Sequence, residues 1–224
     1  MDVCHAFSYV FFVLGRKNVL RKLPCWGAKT YSENYRVKAE KELDHVHGEL
    51  QVVVDVMNQP YLFPLDNRSL LQNYASFNTS PRFPNLYHAA IDYRVEPGSP
   101  VYAVADGVVS FSGEMDGYAG LVVIDHSKES LYSLYGHLSL KNDMVDLGPV
   151  KRGDIVGYIA EPSESYGIGT VSHLHFALRL GEKADYSSSG DERWMAGYTE
   201  RHPIFSGFID PERFILQTVR WNQS

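Results

Sequence analysis

Between residues 85 and 182, short apolar runs alternate with turn-forming residues, and no stretch of useful length has helical period. Runs at 121–125, 130–135, 155–159 and 174–180 are rich in β-branched and aromatic residues, which predicts strands. Asp106-Gly107 separates the apolar runs 101–105 and 108–111 and indicates a hairpin between them. Strands at this regular spacing favour a mainly β fold, an antiparallel sandwich or barrel-like sheet.

The first 80 residues have a different pattern. Residues 50–56 are β-branched and partly alternating, which predicts a strand, and turn signals follow them. The proline-punctuated stretch 78–84 resembles a linker. We therefore predict a small β-rich accessory segment at 1–80, of unknown function, a central domain at 81–185, and a C-terminal extension at 186–224 that packs on the core. Asp210 is expected to cap a short terminal helix with Pro211 at its first position.

Residues 3–14 form an apolar run about as long as the core of a secretory signal. The basic residues follow this run instead of preceding it, so the pattern is not a convincing export signal. Twelve apolar residues are also too few to span a bilayer as a helix, and no other segment is predicted to cross a membrane.

Charge and cysteine content exclude some functions. The net charge is −6, so the basic footprint of a nucleic-acid-binding protein is missing. Neither Cys4 nor Cys25 belongs to a C-x-x-C pair, which leaves a thiolate zinc site unsupported. Whether these two cysteines form a disulfide stays open, because two cysteines carry little information on pairing.

The candidate chemistry lies in four histidines and one aspartate between residues 87 and 176. They are His88, Asp92, His137, His173 and His175. A hydrolytic zinc site needs three protein ligands, an open fourth position for water and nearby acid–base groups, and these five side chains are sufficient for that.

The spacing of these residues does not by itself show that they form one site. His88 and Asp92 are four apart, which places them on one face of a helix or of an extended strand, and the local sequence does not decide which. His173 and His175 lie in a strand-like stretch, so both imidazoles face one side. Two solvent-facing histidines on a half-buried strand would give the same pattern. His137, taken alone, fits an ordinary turn or core histidine.

The stretch 87–179 resembles the lysostaphin-type (LytM-type) zinc metallopeptidases, which cleave peptide bonds in bacterial peptidoglycan. The resemblance rests on six blocks in the order of that family: 87–93, 98–109, 120–126, 134–138, 150–159 and 173–176. It implies a compact antiparallel β domain with an open groove over the metal. The chain departs from the family pattern at Ala90, Ser172 and Ala177, where relatives usually have Gly, Pro and Glu.

The resemblance also implies roles for the five residues. His88, Asp92 and His175 would bind Zn²⁺, while His137 and His173 would handle protons or stabilise the oxyanion. His126 lies in one of the blocks and is interpreted as structural. The loop 161–170 is expected to form one wall of the groove.

The implied function is a zinc endopeptidase that hydrolyses peptidoglycan peptides, in the cross-bridge or in the stem, outside the cytoplasm. A non-catalytic cell-wall module that activates another hydrolase is the main alternative, although such relatives typically lose the ligands. A biotinyl or lipoyl carrier domain, suggested by the turn at 150–157, lacks the modifiable lysine motif such domains need.

Overall fold

The computed structural model describes residues 60–78, 84–190 and 192–221. These residues all belong to one compact unit of the chain, His47–Ser224. The apolar run at 3–14, the strand predicted at 50–56 and both cysteines lie outside the described residues. The predicted division at residues 80 and 185 stays a prediction.

The described residues are mostly strand. In chain order the strands are β1 (Ser69–Gln72), β2 (Phe77–Asn78), β3 (Leu86–His88), β4 (Ile91–Arg94), β5 (Pro100–Tyr102), β6 (Gly107–Met115), β7 (Ala119–His126), β8 (Leu131–Leu138), β9 (Gly148–Val150), β10 (Ile155–Tyr158), β11 (His173–Leu180), β12 (Tyr198–Thr199) and β13 (Phe208–Ile209). Short 3₁₀ helices span Pro162–Glu164, Tyr166–Ile168, Lys183–Asp185 and Pro203–Ser206, and helix α1 spans Pro211–Trp221.

One antiparallel sheet carries most of these strands, in the order β1-β4-β11-β8-β7-β6-β9, with β13 beside β11. Strands β5 and β10 form a second small sheet, and β12, β3 and β2 form a third. The mainly β, antiparallel fold expected from the strand spacing is therefore confirmed.

Both faces of the large sheet are buried, which explains why its strands are apolar with little alternation. Every residue of β8 is buried. On β7, Val122 and Ile124 belong to one core, which also includes residues of β5, β10 and α1. Leu121 and Val123 belong to a second core, together with Trp194 and other residues of the C-terminal segment.

The hairpin predicted at Asp106-Gly107 is wrong. Strand β5 pairs with β10, whereas β6 pairs with β7 and β9. A Cβ at Gly107 would lie 2.5 Å from Ile124 Cγ2, so glycine is needed here for close packing on β7. The Asp106 carboxylate accepts hydrogen bonds from Lys151 Nζ and from the Arg152 backbone, which fixes a corner between two sheets.

The terminal helix begins as the sequence predicts. Pro211 is its first residue, and Asp210 Oδ1 accepts a hydrogen bond from the Arg213 backbone N–H at 3.1 Å. Within the described ranges no helix combines the length and the apolar character that crossing a membrane requires.

His126 connects the corner at Asp106 to the middle of the sheet. Its Nδ1 donates to the Asp106 carbonyl at 2.8 Å, and its Nε2 lies 2.8 Å from Ser133 Oγ. Ser133 Oγ also lies 3.0 Å from the Tyr135 hydroxyl, which accepts the Val104 backbone N–H. Every group is satisfied if Tyr135 donates to Ser133 and Ser133 donates to a neutral His126. The structural interpretation of this histidine fits these contacts.

Burial lowers the pKa of His126 below its ordinary value of 6.5, although Asp106 and Asp125 oppose the shift. The unfolded chain therefore binds the proton more readily, so stability is present above about pH 6.5 and falls as the pH drops through that value. We expect His126→Gln to show a smaller loss of unfolding free energy between pH 7.5 and 5.5 than the parent protein. Urea denaturation at both pH values measures this difference, and equal losses in the two proteins would contradict it.

Candidate functional site

Three neighbouring strands carry four of the five candidate residues. Strand β11 lies between β4 and β8, and His175 is opposite Asp92 on one side and Gly136 on the other. His137 therefore lies on the strand next to His175, one residue beyond Gly136. His173 and His175 are two apart on β11 and face the same side of the sheet, while Leu174 is fully buried in the main core.

His88 reaches the site from the small sheet. It ends β3, and a bend at Ala89-Ala90 leads the chain into β4, where Asp92 is the second residue. The four-residue spacing is therefore neither one helix turn nor one continuous strand. Both alternatives left open by the sequence are wrong, although the two side chains do converge.

Three buried atoms form a near-equilateral triangle. His88 Nε2 lies 3.2 Å from Asp92 Oδ1 and 3.3 Å from His175 Nδ1, and Asp92 Oδ1 lies 3.1 Å from His175 Nδ1. The three side chains are at most 6% exposed. They form a group that could hold a metal ion.

The size of this triangle fits zinc. Zn–N and Zn–O bonds of about 2.0–2.1 Å in a tetrahedron place ligand atoms about 3.3 Å apart. Two imidazoles and one carboxylate with an open fourth position are also a known catalytic donor set for zinc.

The hydrogen bonds around the triangle favour a cation as well. His88 Nδ1 lies 3.2 Å from the Asn73 carbonyl, to which it donates, so its Nε2 presents a lone pair. The Asp92 oxygen is an acceptor too, and only His175 Nδ1 could place a proton among the three atoms. With the His175 proton on Nε2 instead, all three atoms are acceptors, and a bound cation would satisfy them. His175 Nε2 is buried and has no hydrogen-bond partner within the described part of the chain, so the other nitrogen makes this residue's polar contacts.

Electrostatics in the triangle keep the carboxylate ionised. Burial raises the pKa of Asp92, but the His88 and His175 imidazoles in contact with the carboxylate outweigh burial and hold that pKa well below its usual range. Burial lowers the pKa of His175, against the opposing effect of Asp92. Both shifts favour the protonation states that a metal requires, an ionised carboxylate and a neutral imidazole.

His137 has an unusual backbone. Its φ is +66°, in the left-handed region, where a non-glycine residue costs about 1–3 kcal/mol. The preceding Gly136 is required, because a Cβ there would lie 2.4 Å from the Tyr118 ring. His137 Nδ1 donates to the Tyr118 carbonyl at 3.0 Å, which leaves Nε2 as a base. Burial, together with His173 and His175, lowers the pKa of His137 to about 3.

His173 has a matching arrangement. Its Nδ1 donates to the Val171 carbonyl at 2.8 Å, and its Nε2 lies 3.6 Å from Asp92 Oδ2. The rings of His137 and His173 have centroids 4.5 Å apart. In both histidines Nδ1 is bound to a backbone carbonyl and Nε2 remains the basic atom, and the two rings meet edge to face next to the triangle.

A short backbone link connects these two histidines. The Ala160 N–H donates to the His137 carbonyl at 2.9 Å, and the Ala160 carbonyl accepts a hydrogen bond from Ser172 Oγ at 2.8 Å. Ser172 directly precedes His173. The departure from the family pattern at this position therefore introduces a hydrogen bond that fixes His173 relative to His137.

The C-terminal segment forms a wall of the site. The Tyr118 hydroxyl donates to the Met195 carbonyl at 3.0 Å, and a Cβ on Gly197 would lie 3.4 Å from His175 Cε1. The Tyr198 ring lies 5.2 Å from the His88 ring, between centroids. Residues 195–198 therefore line the side of the triangle formed by His88 and His175.

On another side, the loop expected to be a groove wall contacts the turn before Tyr118. Gly167 lies so close to the Gly117 carbonyl that no Cβ could fit at residue 167. The Tyr166 hydroxyl donates to Asp116 Oδ2 at 3.0 Å. Because Tyr118 supports His137, this loop contributes to the same region.

Arg179 holds the C-terminal wall in place. It is fully buried, and its guanidinium lies 3.5 Å from the centre of the Tyr186 ring. It donates to the Ser206 carbonyl at 2.7 Å and to the Arg193 carbonyl at 3.0 Å. The planar guanidinium group of Arg179 thus connects β11 to both ends of the segment 193–206.

Replacing Arg179 by lysine is expected to destabilise the protein by about 2–4 kcal/mol, because an ammonium group cannot reproduce the fork and would stay buried with unsatisfied carbonyls around it. The matched control is Arg213→Lys, since the Arg213 side chain is 83% exposed and should change stability by less than about 0.5 kcal/mol. Denaturant unfolding measures both. Equal stability of the two variants would contradict the role of Arg179.

The sequence pointed to all five residues of this cluster, and the structure brings all five together. Their assignment to metal binding and proton transfer stays a prediction. Four contributors were missed: the Asn73 carbonyl, Gly197, Tyr198 and Arg179. Tyr118 was noted only as one of several aromatic residues near the blocks. None has a local sequence signal, because each acts through contacts with residues distant along the chain.

The antiparallel β domain and its buried set of two histidines and one carboxylate suit a metal-dependent hydrolase. Residues 86–186 match the profile of peptidase family M23. This segment of the chain therefore belongs to family M23, of the lysostaphin (LytM) type. The family indicates a peptidase with a metal cofactor and a peptide substrate.

Two relatives and one solved structure illustrate the similarity. The chain is 38% identical over 93 residues to the DD-carboxypeptidase/endopeptidase Mpg of Neisseria meningitidis, a match covering 42% of this chain and 20% of that protein. It is 31% identical over 128 residues to an uncharacterized metalloprotease of Haemophilus influenzae, covering 54% and 25%. The catalytic domain of lysostaphin from Staphylococcus simulans shares the fold, with a TM-score of 0.50, 22% identity and coverage of 67% and 94%.

The chain thus spans only about a fifth to a quarter of the length of these two curated relatives. The comparisons show the family and the fold of the domain.

Proposed function

We propose that the protein is a zinc-dependent endopeptidase that hydrolyses peptide bonds of bacterial peptidoglycan outside the cytoplasm. The observation that carries this proposal is the triangle of His88 Nε2, Asp92 Oδ1 and His175 Nδ1, next to two further histidines that present Nε2. The relatives named as peptidases and the M23 profile support the same activity.

In this proposal His88, Asp92 and His175 hold the ion. A zinc ion held there would supply Lewis acidity and would make water more acidic, with a pKa towards about 7. Asp92 stays ionised and offsets part of the charge of the ion. The side chains of the triangle are at most 6% exposed, and low exposure to water strengthens the electrostatic interactions inside the site.

His137 and His173 carry the protons. In each, Nδ1–H is fixed on a backbone carbonyl, so Nε2 is the atom that accepts a proton from the attacking water. Once protonated, the same nitrogen becomes a donor, either to the oxyanion that develops on the scissile carbonyl or to the leaving amine. The two rings are close enough, with centroids 4.5 Å apart, for one histidine to accept a proton while the other donates one.

The alternative of a non-catalytic module that activates another hydrolase has no observation in its favour, since all five residues are present. Both hypotheses predict binding to cell-wall material. Only the enzyme releases fragments from it.

The decisive experiment treats purified sacculi of several cross-link types with the full chain loaded with zinc. Mass spectrometry of the soluble fragments identifies the bond that is cleaved and separates cross-bridge from stem-peptide cleavage. The controls are the same protein after chelation and after zinc is restored. If the zinc-loaded protein released no fragments from any type of sacculus, this result would contradict the proposed activity.

A further inference from the structure

Arg94 occupies the same face of the sheet as the candidate site. It is two residues from Asp92 on β4, so both side chains point to the same side. Its direct neighbour on β11 is His173, and its neighbour on β1 is Ser69. The face that carries the triangle thus continues through His173 to Arg94 and ends at the edge strand.

An open pocket of ≈ 380 Å³ lies at this edge, lined by Arg94, Arg68, Ser69 and Glu96, among others. Arg94 is exposed, and it makes no ion pair or side-chain hydrogen bond with any other residue in 60–78, 84–190 or 192–221. The Arg68 guanidinium lies 3.4 Å from the centre of the Phe63 ring. Stacking of this kind holds a cation in place while it keeps its charge.

The charge of the pocket opposes that of the whole chain. Two arginines and one glutamate give the pocket a local excess of positive charge, whereas the chain as a whole has a net charge of −6. An arginine with free donors, on the face of the sheet that carries the candidate site, is suited to a planar anion, because its guanidinium matches a carboxylate with two parallel hydrogen bonds. In a peptide substrate the anionic group is a carboxylate.

We infer that Arg94 and the pocket beside it bind a carboxylate of the peptide substrate, and that this contact sets which peptides the site prefers. The inference rests on the proposed function. Two residues of strand separate Arg94 from Asp92, about 7 Å, so the carboxylate belongs to a residue about two positions from the scissile bond in an extended peptide. Arg94 acts on specificity, since the contact is the same before and during the reaction.

The test compares stem-peptide analogues of identical sequence, prepared as free acids and as C-terminal amides. With the parent protein we expect the free acid to have a KM roughly two- to fivefold lower, with kcat unchanged, as fits one charge-assisted contact in an exposed site. Arg94→Gln should remove this preference, and Arg94→Lys should keep part of it. Arg213→Gln removes the same charge from α1 and should keep all of it. Zinc content should be the same in every variant.

A second measurement keeps this inference separate from the proposed activity. Calorimetric titration of the zinc-loaded protein with the same acid and amide peptides measures binding without turnover. If the protein hydrolyses nothing yet still prefers the acid in an Arg94-dependent way, the subsite stands and the proposed activity fails. If the protein hydrolyses the acid and the amide equally well, or hydrolyses both with a preference that Arg94→Gln leaves unchanged, the subsite is refuted and the activity stands.

Discussion

Replacing His175 by alanine is expected to abolish zinc binding and peptide hydrolysis together. His175 supplies one corner of the triangle, at 3.1 Å from Asp92 Oδ1 and 3.3 Å from His88 Nε2. Loss of an outer hydrogen-bond partner of a metal ligand already costs about 10–100-fold in metal affinity, so loss of a ligand should cost at least about 100-fold. Hydrolysis should fall to the level of the parent protein after chelation.

Two measurements check this result, metal content by elemental analysis and fragment release from sacculi. The control is His202→Ala, which removes an exposed histidine outside the triangle and should leave both unchanged. Asp92→Asn is a second variant that keeps the side-chain volume and removes only the charge, so it guards against a folding defect. Hydrolysis by metal-free His175→Ala protein would refute the zinc mechanism.

The fold was largely predictable from local patterns, because strands and turns here depend on neighbours in sequence. The placement of His173 and His175 on one face of a strand followed from their spacing alone. The cap at Asp210 followed from a proline at the next position. The roles assigned to the five residues came from the family resemblance, since an H-x-x-x-D spacing by itself does not distinguish a ligand pair from chance.

The wrong predictions share a physical cause. The Asp106-Gly107 dipeptide suits a hairpin, but the glycine is required by contact with Ile124, which lies on β7. His88 and Asp92 converge across a bend between two sheets, which spacing rules for one element cannot describe. Arg179 and Gly197 depend on how the C-terminal segment folds back over β11. Such contacts are set by the register of distant strands, and register is not encoded in any local window.

The second large effect is expected from His137→Asn, which should keep zinc and lose turnover. Asparagine tolerates the left-handed backbone at this position, where φ is +66°. Its side-chain amide can replace Nδ1–H as donor to the Tyr118 carbonyl, so the fold around Gly136 should persist. The variant has no atom that replaces Nε2 as a base.

General acid–base groups typically contribute about 100- to 10,000-fold, so kcat should fall within that range while KM changes little. Zinc content should equal that of the parent protein, because His137 is not part of the triangle. Steady-state kinetics on a peptide identified from sacculi, together with elemental analysis, measures both quantities. His173→Asn provides the comparison. If the two histidines form one proton-transfer unit, the kcat of the double variant should be only slightly lower than that of the less active single variant.

Two outcomes would contradict this role. If His137→Asn keeps the parent kcat, proton transfer does not pass through His137, and His173 acts alone. If it loses zinc to the extent that His175→Ala does, His137 belongs to the ligand set and the triangle is misassigned. The buried, strained position of His137 next to His173 is the reason to expect neither, since the supporting turn at Gly136 and Tyr118 holds this imidazole beside the triangle without placing it among the three atoms.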